Sequence, residues 1–143
     1  MNVAAILKAK GRSVTTVRPD AVLSEVVQKL HAKRIGAIVV VGEHGSVEGI
    51  ISERDVIRAV AERGAAALTE VVSRYMTRSV VSCGETAIVE ELMETMTAGR
   101  FRHLPVIEDG SLVGIISIGD VVKNHVAEVE MEVSAMRSYL ATG

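Results

Sequence analysis

Gly49-Ile50-Ile51-Ser52-Glu53-Arg54-Asp55-Val56 returns as Gly114-Ile115-Ile116-Ser117-Ile118-Gly119-Asp120-Val121, with six of the eight positions identical. A repeat of this kind constrains the architecture before any single side chain is interpreted, because each copy must build the same unit. Upstream, Ala37-Ile38-Val39-Val40 answers to His103-Leu104-Pro105-Val106, and Val26, Leu30 and Arg34 answer to Leu92, Met96 and Arg100. The offset is 66 before the turns that hold Gly45 and Gly110 and 65 after them, so the two turns differ by one residue.

Each copy reads as the same string of elements. A β-prone segment, Ser13 to Val17 or Val80 to Cys83, precedes a helix with apolar residues at Val22, Val26, Val27 and Leu30, or at Ile88, Leu92, Met93 and Met96. An apolar strand follows (Ile38 to Val41, Leu104 to Ile107), then a turn at Gly45 or Asp109-Gly110 and a second strand (Val47 to Ile51, Leu112 to Ile116). So short a turn makes the two strands a hairpin, and a second helix starts at Ser52 or Ser117. The fold class is α+β: two β-α-β-β-α repeats packed as a pseudo-two-fold pair, with a C-terminal helix. Residues 1–66 are assigned to the first repeat with an N-terminal helix, 67–127 to the second with a connector, and 128–143 to the last helix. Leu68, Val71, Val72 and Met76 predict a helical connector that joins the repeats into one rigid body. Val122, Val126, Val129, Val133, Met136 and Leu140 are spaced 4, 3, 4, 3, 4, an a/d seam that either folds back on its own domain or meets a second copy.

Composition bounds the function. The 143 residues are 48% hydrophobic and 24% charged, enough for a core without disulfides or structural metal. Sixteen Lys plus Arg against eighteen Asp plus Glu give a net charge of −2, which offers nucleic acid no overall attraction. Three aromatics are too few for a base-stacking platform. No apolar run is longer than Ala37 to Val41, far short of the roughly 20 residues of a membrane span. With one Cys and no signal-peptide run, a soluble cytoplasmic protein is expected.

Ser52…Asp55 and Ser117…Asp120 each follow a strand directly. Ser followed three residues later by an acid is close to a capping box. The same geometry leaves helix N–H groups free to hold an anion, beside a carboxylate able to bind two vicinal hydroxyls, which suits phosphate plus ribose. Both readings stand on the sequence.

The doubled Gly-Ile-Ile-Ser-x-x-Asp, each copy with its apolar strand and Gly turn, resembles the tandem cystathionine-β-synthase (CBS) domain pair, or Bateman module, over residues from about 13 to 125. The resemblance implies a cleft between the repeats for an adenosine-containing ligand: AMP, ATP, NAD(H) or S-adenosylmethionine. It implies Asp55 and Asp120 as ribose-binding acids and Ser52 and Ser117 as hydroxyls on ribose or phosphate. Adenine would lie against Thr15, Thr16 and Val17, Ser82 and Cys83, and strands near Ile38-Val39 and Leu104-Pro105. In kinase regulatory subunits sharing the module, basic residues at the positions of Arg102 and His103 hold phosphate. The first repeat has Gly36 and Ala37 there, so the two sites are expected to differ, and Arg54 is a further phosphate candidate, replaced by Gly119 in the other copy.

Elsewhere the sequence is bland. His31, His44 and His125 lack His or Cys partners at ligand spacing, Cys83 lacks a base, and no Rossmann or P-loop glycine pattern occurs. The expected function is a stand-alone, non-catalytic adenylate sensor acting through a homodimer or a partner protein, without nucleic acid or membrane. Its rivals are an interaction module with no ligand and a weak nucleotide-processing enzyme built on Arg102, His103 and Asp120.

Overall fold

The computed structural model describes residues 1–142. Element order is α1 (Val3–Lys10), β1 (Thr16–Val17), α2 (Leu23–Lys33), β2 (Ala37–Val41), β3 (Val47–Ser52), α3 (Glu53–Arg63), two 3-10 turns (Gly64–Thr69 and Val72–Arg74), α4 (Val89–Gly99), β4 (His103–Glu108), β5 (Ser111–Ser117) and α5 (Ile118–Thr142). In the first repeat β1 runs parallel to β2 and β2 pairs antiparallel with β3. The β2 run Ala37-Ile38-Val39-Val40 is wholly buried, as a β-branched strand covered on both faces should be.

The two repeats match pair for pair. Ala37 faces Ser52 as His103 faces Ser117, and Val40 faces Gly49 as Val106 faces Gly114. The ladder is irregular at Val40/Val41 and at Val106/Ile107. Both first helices end on an arginine in the left-handed region, Arg34 (φ 53°) and Arg100 (φ 55°). A hydrogen bond from Glu53 N to the Gly36 carbonyl (3.0 Å) has its counterpart from Ile118 N to the Arg102 carbonyl (2.8 Å).

The second copy departs from expectation at its start. Val80 to Cys83 forms no strand; only Cys83 bridges Val106 in parallel, donating to the Pro105 carbonyl (3.0 Å) and accepting from Ile107 N (2.9 Å). Val81 is exposed, so this stretch has no inner face to bury and its valines border a cavity instead. Val22 and Ile88 are also not helical. Each is the extended residue before its helix and bridges a neighbouring segment, Val22 to Val71 and Ile88 to Asn2.

The pieces outside the repeats pack crosswise. α1, assigned by sequence order to the first repeat, inserts Val3, Ile6 and Leu7 into the second core with Val89, Leu92, Met96, Leu104, Val106, Ile116 and Val121. The connector, assigned to the second repeat, inserts Ala67, Val72 and Met76 into the first core with Val17, Leu23, Val26, Ile38 and Ile51. It is two 3-10 turns, not an α-helix, because Glu70 and Val71 are extended where Val71 pairs with Val22. The two motif glycines explain the seating. A Cβ on Gly49 would stand 2.7 Å from Met76 Sδ and 2.9 Å from the Thr77 carbonyl, and one on Gly114 would stand 2.7 Å from Leu7 Cδ2. Each repeat therefore needs a bare backbone at this position to admit its cap.

α5 continues unbroken from Ile118 to Thr142, so the expected boundary at 127/128 falls inside one helix. It does not fold back: only Val121 of its residues is buried, and the seam from Val122 to Leu140 is 43–71% exposed. No helix among the described residues is long and apolar enough to cross a membrane.

Candidate ligand site between the repeats

β3 delivers Ser52 to the start of α3, where the capping box forms. Ser52 Oγ accepts from Asp55 N (3.4 Å), while Asp55 Oδ2 accepts from Ser52 N (2.9 Å) and from Ser52 Oγ (3.1 Å). The other oxygen, Oδ1, accepts from Arg58 Nη2 at 2.7 Å and lies 3.5 Å from Thr77 Oγ1. Asp55 is only 4% exposed, yet Arg58, its partner one turn along, is largely in solvent. In the second repeat Asp120 Oδ2 accepts from Ser117 N (2.9 Å), and Asp120 N donates to Ser117 Oγ (3.2 Å). Lys10 Nζ also donates to Asp120 Oδ2, at 2.7 Å. Capping thus consumes one oxygen of each acid and leaves the second for other partners. The two functions proposed for these residues are compatible.

A cavity of about 500 Å³ opens beside Asp55, within the range of nucleotide-sized sites. Its first wall is Gly36 with Ser52 to Asp55 and Arg58; its second wall is the run Gly99 to His103 with Pro105; Thr77 and Ser79 to Val81 close the side. The acid of one repeat therefore shares a chamber with the basic run of the other. Arg54 reaches across it, donating from Nη1 to the Arg100 carbonyl at 3.2 Å. Gly36 makes room for the His103 ring: a Cβ there would lie 3.0 Å from His103 Cε1. The first repeat has glycine where the second has Arg102 because the ring of His103 lies over that backbone.

Burial holds the His103 imidazole below its ordinary pKa; Lys10 and Arg102 push the same way, against Glu53 and Asp120. It is neutral at pH 7. Burial pushes the Asp120 carboxyl up, but the hydrogen bonds from Lys10 and from Ser117 outweigh it and hold the group below the usual carboxylate range.

Six of the expected site residues line this cavity: Ser52, Arg54, Asp55, Arg102, His103 and Pro105. Val17, Ile38 and Leu104 do not; their side chains are buried in the two cores, which leaves only their main chain to meet a ligand. Thr15 and Thr16 are tied up through main chain, their carbonyls accepting from Val39 N (3.3 Å) and Lys29 Nζ (3.3 Å). Ser82 is exposed and outside the cavity lining, and Ser117 and Asp120 form their own cap. Arg58, Thr77 and Arg100 border the cavity without having been expected there as ligand contacts. Arg58 was findable as a cation three residues after the acid. Thr77 directly follows the connector and carried no signal.

Away from this chamber, Glu90, His125 and Glu128 bring ligand-type atoms within 4.8 Å of one another, with the Met1 ammonium paired to Glu128. His125 thus has neighbours that sequence spacing did not reveal. Cys83 is a free thiol pushed up to about 11, chiefly by burial and then by the charge of Glu108.

The sequence profile of the CBS domain matches residues 10–62 and 72–126. The chain is 33% identical over 147 residues to the CBS domain-containing protein CBSX3, mitochondrial, of Arabidopsis thaliana, covering 96% of this chain and 71% of that protein. Among solved structures, the CBS-domain containing protein ATU1752 from Agrobacterium tumefaciens superimposes with a TM-score of 0.83 at 53% identity, covering 85% of this chain and 91% of that one. The CBS domain protein PAE2072 from Pyrobaculum aerophilum, solved complexed with AMP, superimposes with a TM-score of 0.75 at 28% identity, covering 84% and 89%.

Proposed function

The chain belongs to the CBS domain family, and from that membership we propose that it is a regulatory module that binds an adenosine-containing ligand between its repeats and does not transform it. One observation carries the reading: Asp55 of the first repeat and Arg102 and His103 of the second border one nucleotide-sized cavity. In this reading Asp55 Oδ2 keeps the cap while Oδ1 exchanges Arg58 for the ribose hydroxyls. Arg58 is free to swing because its side chain is mostly in solvent. Arg54, Arg102 and His103 take the phosphates, forked donors being well matched to phosphate oxygens. That cationic wall favours AMP, ATP or NAD(H) over the cationic tail of S-adenosylmethionine. The AMP complex of the Pyrobaculum relative supports the ligand class.

A non-catalytic role is supported by membership of the CBS domain family. The exposed seam of α5 supports a homodimer, since a second copy would cover an apolar stripe that otherwise faces water. An aqueous compartment that holds adenylates, such as the cytoplasm, suits this role. Ligand then acts by favouring one dimer or partner conformation over another, to the extent that it binds the two differently.

The test is mass spectrometry of small molecules released from purified protein, with calorimetry on Asp55→Ala, Asp120→Ala and the double variant. Asp55→Ala should weaken the site bordering Arg102 and His103, and the double change should abolish binding without unfolding the chain. Unaltered affinity in the double variant, or conversion of ATP or NAD(H) by the wild type, overturns the reading.

A further inference from the structure

A second hollow, of about 560 Å³, opens on the first repeat between α2 and α3. Leu30, Ile35 and Val56 form its floor on the first core, and Ile57 stands at its lip, 68% exposed. His31 and Arg34 rim the α2 side, with Glu53 on the α3 side. The second repeat fills the matching place with its own side chains. Met93 stands where the first has Val27, Phe101 where it has Ile35 and Ile118 where it has Glu53, and all three pack on the second core. Val121 is wholly buried there, while its counterpart Val56 is only half-buried. Smaller and charged residues have thus left the first repeat an apolar groove that stands open among the described residues.

α5 has the complementary form. Beyond Glu128, which pairs with the Met1 ammonium, the helix runs on to Thr142, about 21 Å at 1.5 Å per residue. Along this length Val129, Val133, Met136 and Leu140 make one apolar stripe, 43–71% exposed. At helical spacing Glu132 stands on one flank of the stripe, and Glu130 and Arg137 on the other. A helix seated with Glu132 toward His31 and Arg34 brings Arg137 toward Glu53, so charges of opposite sign meet on both walls. Anchors three and four residues apart are what an apolar groove takes from a helix, and the flexible Met136 suits an irregular hollow. We propose that α5 of one copy docks in the α2–α3 groove of a second copy, and reciprocally, so that two helix-in-groove contacts hold the homodimer. Such an exchange closes on itself with two-fold symmetry. The inference rests on the homodimer of the reading above and not on its ligand; it names the surface that α5 meets, which is not another α5.

The experiment is disulfide trapping in a Cys83→Ser background, which removes the native thiol. Ile57→Cys and Met136→Cys are made separately, mixed, left to exchange subunits and oxidised, and denaturing gels without reductant read the linked pairs. Circular dichroism melts verify folding. A linked dimer should form in the mixture and in neither variant alone. Sedimentation equilibrium tests the charges: Arg34→Glu should weaken association about tenfold, since each dimer loses two exposed ion pairs, and adding Glu132→Arg should restore it. Met136→Cys protein that links to itself, with no gain on mixing, pairs α5 with α5 and overturns the proposal. Absence of linkage in every sample overturns it too, as does failure of Glu132→Arg to rescue Arg34→Glu. Unmutated protein that sediments as a monomer overturns the homodimer reading and the proposal together.

Discussion

Gly114 lies directly beneath Leu7, so close that a methyl group on its α-carbon would stand 2.7 Å from Leu7 Cδ2. Leu7 sits in the second core from the opposite end of the chain. Gly114→Ala should therefore lower stability by about 1–3 kcal/mol, the usual cost of overpacking. Gly49→Ala should cost more, because there the new methyl meets the Thr77 carbonyl as well as the Met76 side chain, and main chain yields less readily. Thermal melts read both, at roughly 2–4 °C per kcal/mol for a chain of this size.

Ligand binding should tighten as pH falls from 8 to 6. His103 is neutral in the free protein, so pairing its protonated form with phosphate takes up a proton, and affinity drops as that proton becomes scarce. His103→Asn should flatten the slope, leaving only the phosphate's own titration. Calorimetry in buffers of different ionisation enthalpy measures the uptake. Stability moves the other way: the unfolded imidazole protonates first, so the folded state loses ground as pH falls through about 6.5.

Cys83 should resist thiol reagents. With its pKa pushed up to about 11, roughly one molecule in a thousand is thiolate at pH 8, against about a quarter for an ordinary cysteine. Labelling with a chromogenic disulfide should be slow in buffer and fast in urea. Because the folded thiol holds its proton longer than the unfolded one, stability contributed here is lost as pH rises from about 9 through 11.

How far the chain was legible varies from residue to residue. Both hairpins and the paired Ser…Asp motifs followed from a repeat in which six of eight residues recur. That signal is local, and so are the caps it produced. The destination of Val3, Ile6 and Leu7 was invisible, since an amphipathic face states only that it must be buried and not against which partner. Lys10 on Asp120 inherits that blindness: the two are 110 residues apart and no spacing rule connects them. The cavity was half legible. Asp55, Arg102 and His103 stood out by motif, while the reason for Gly36 appears only when the His103 ring is seen over it.

The seam of α5 should govern association. Val129→Glu and Met136→Glu place charge on the exposed apolar stripe and should shift sedimentation from dimer toward monomer, with helix content kept. Unchanged sedimentation in both variants would place any dimer contact elsewhere.

Crosswise packing has a further effect on how the chain can come apart. Severed after residue 66, the first piece would lack Ala67, Val72 and Met76, and the second would lack Val3, Ile6 and Leu7, so each fragment would be left with an open interior. The halves hold one another's missing parts like clasped hands. Denaturation should accordingly proceed in a single step, and mixing the two fragments should restore structure that neither attains alone.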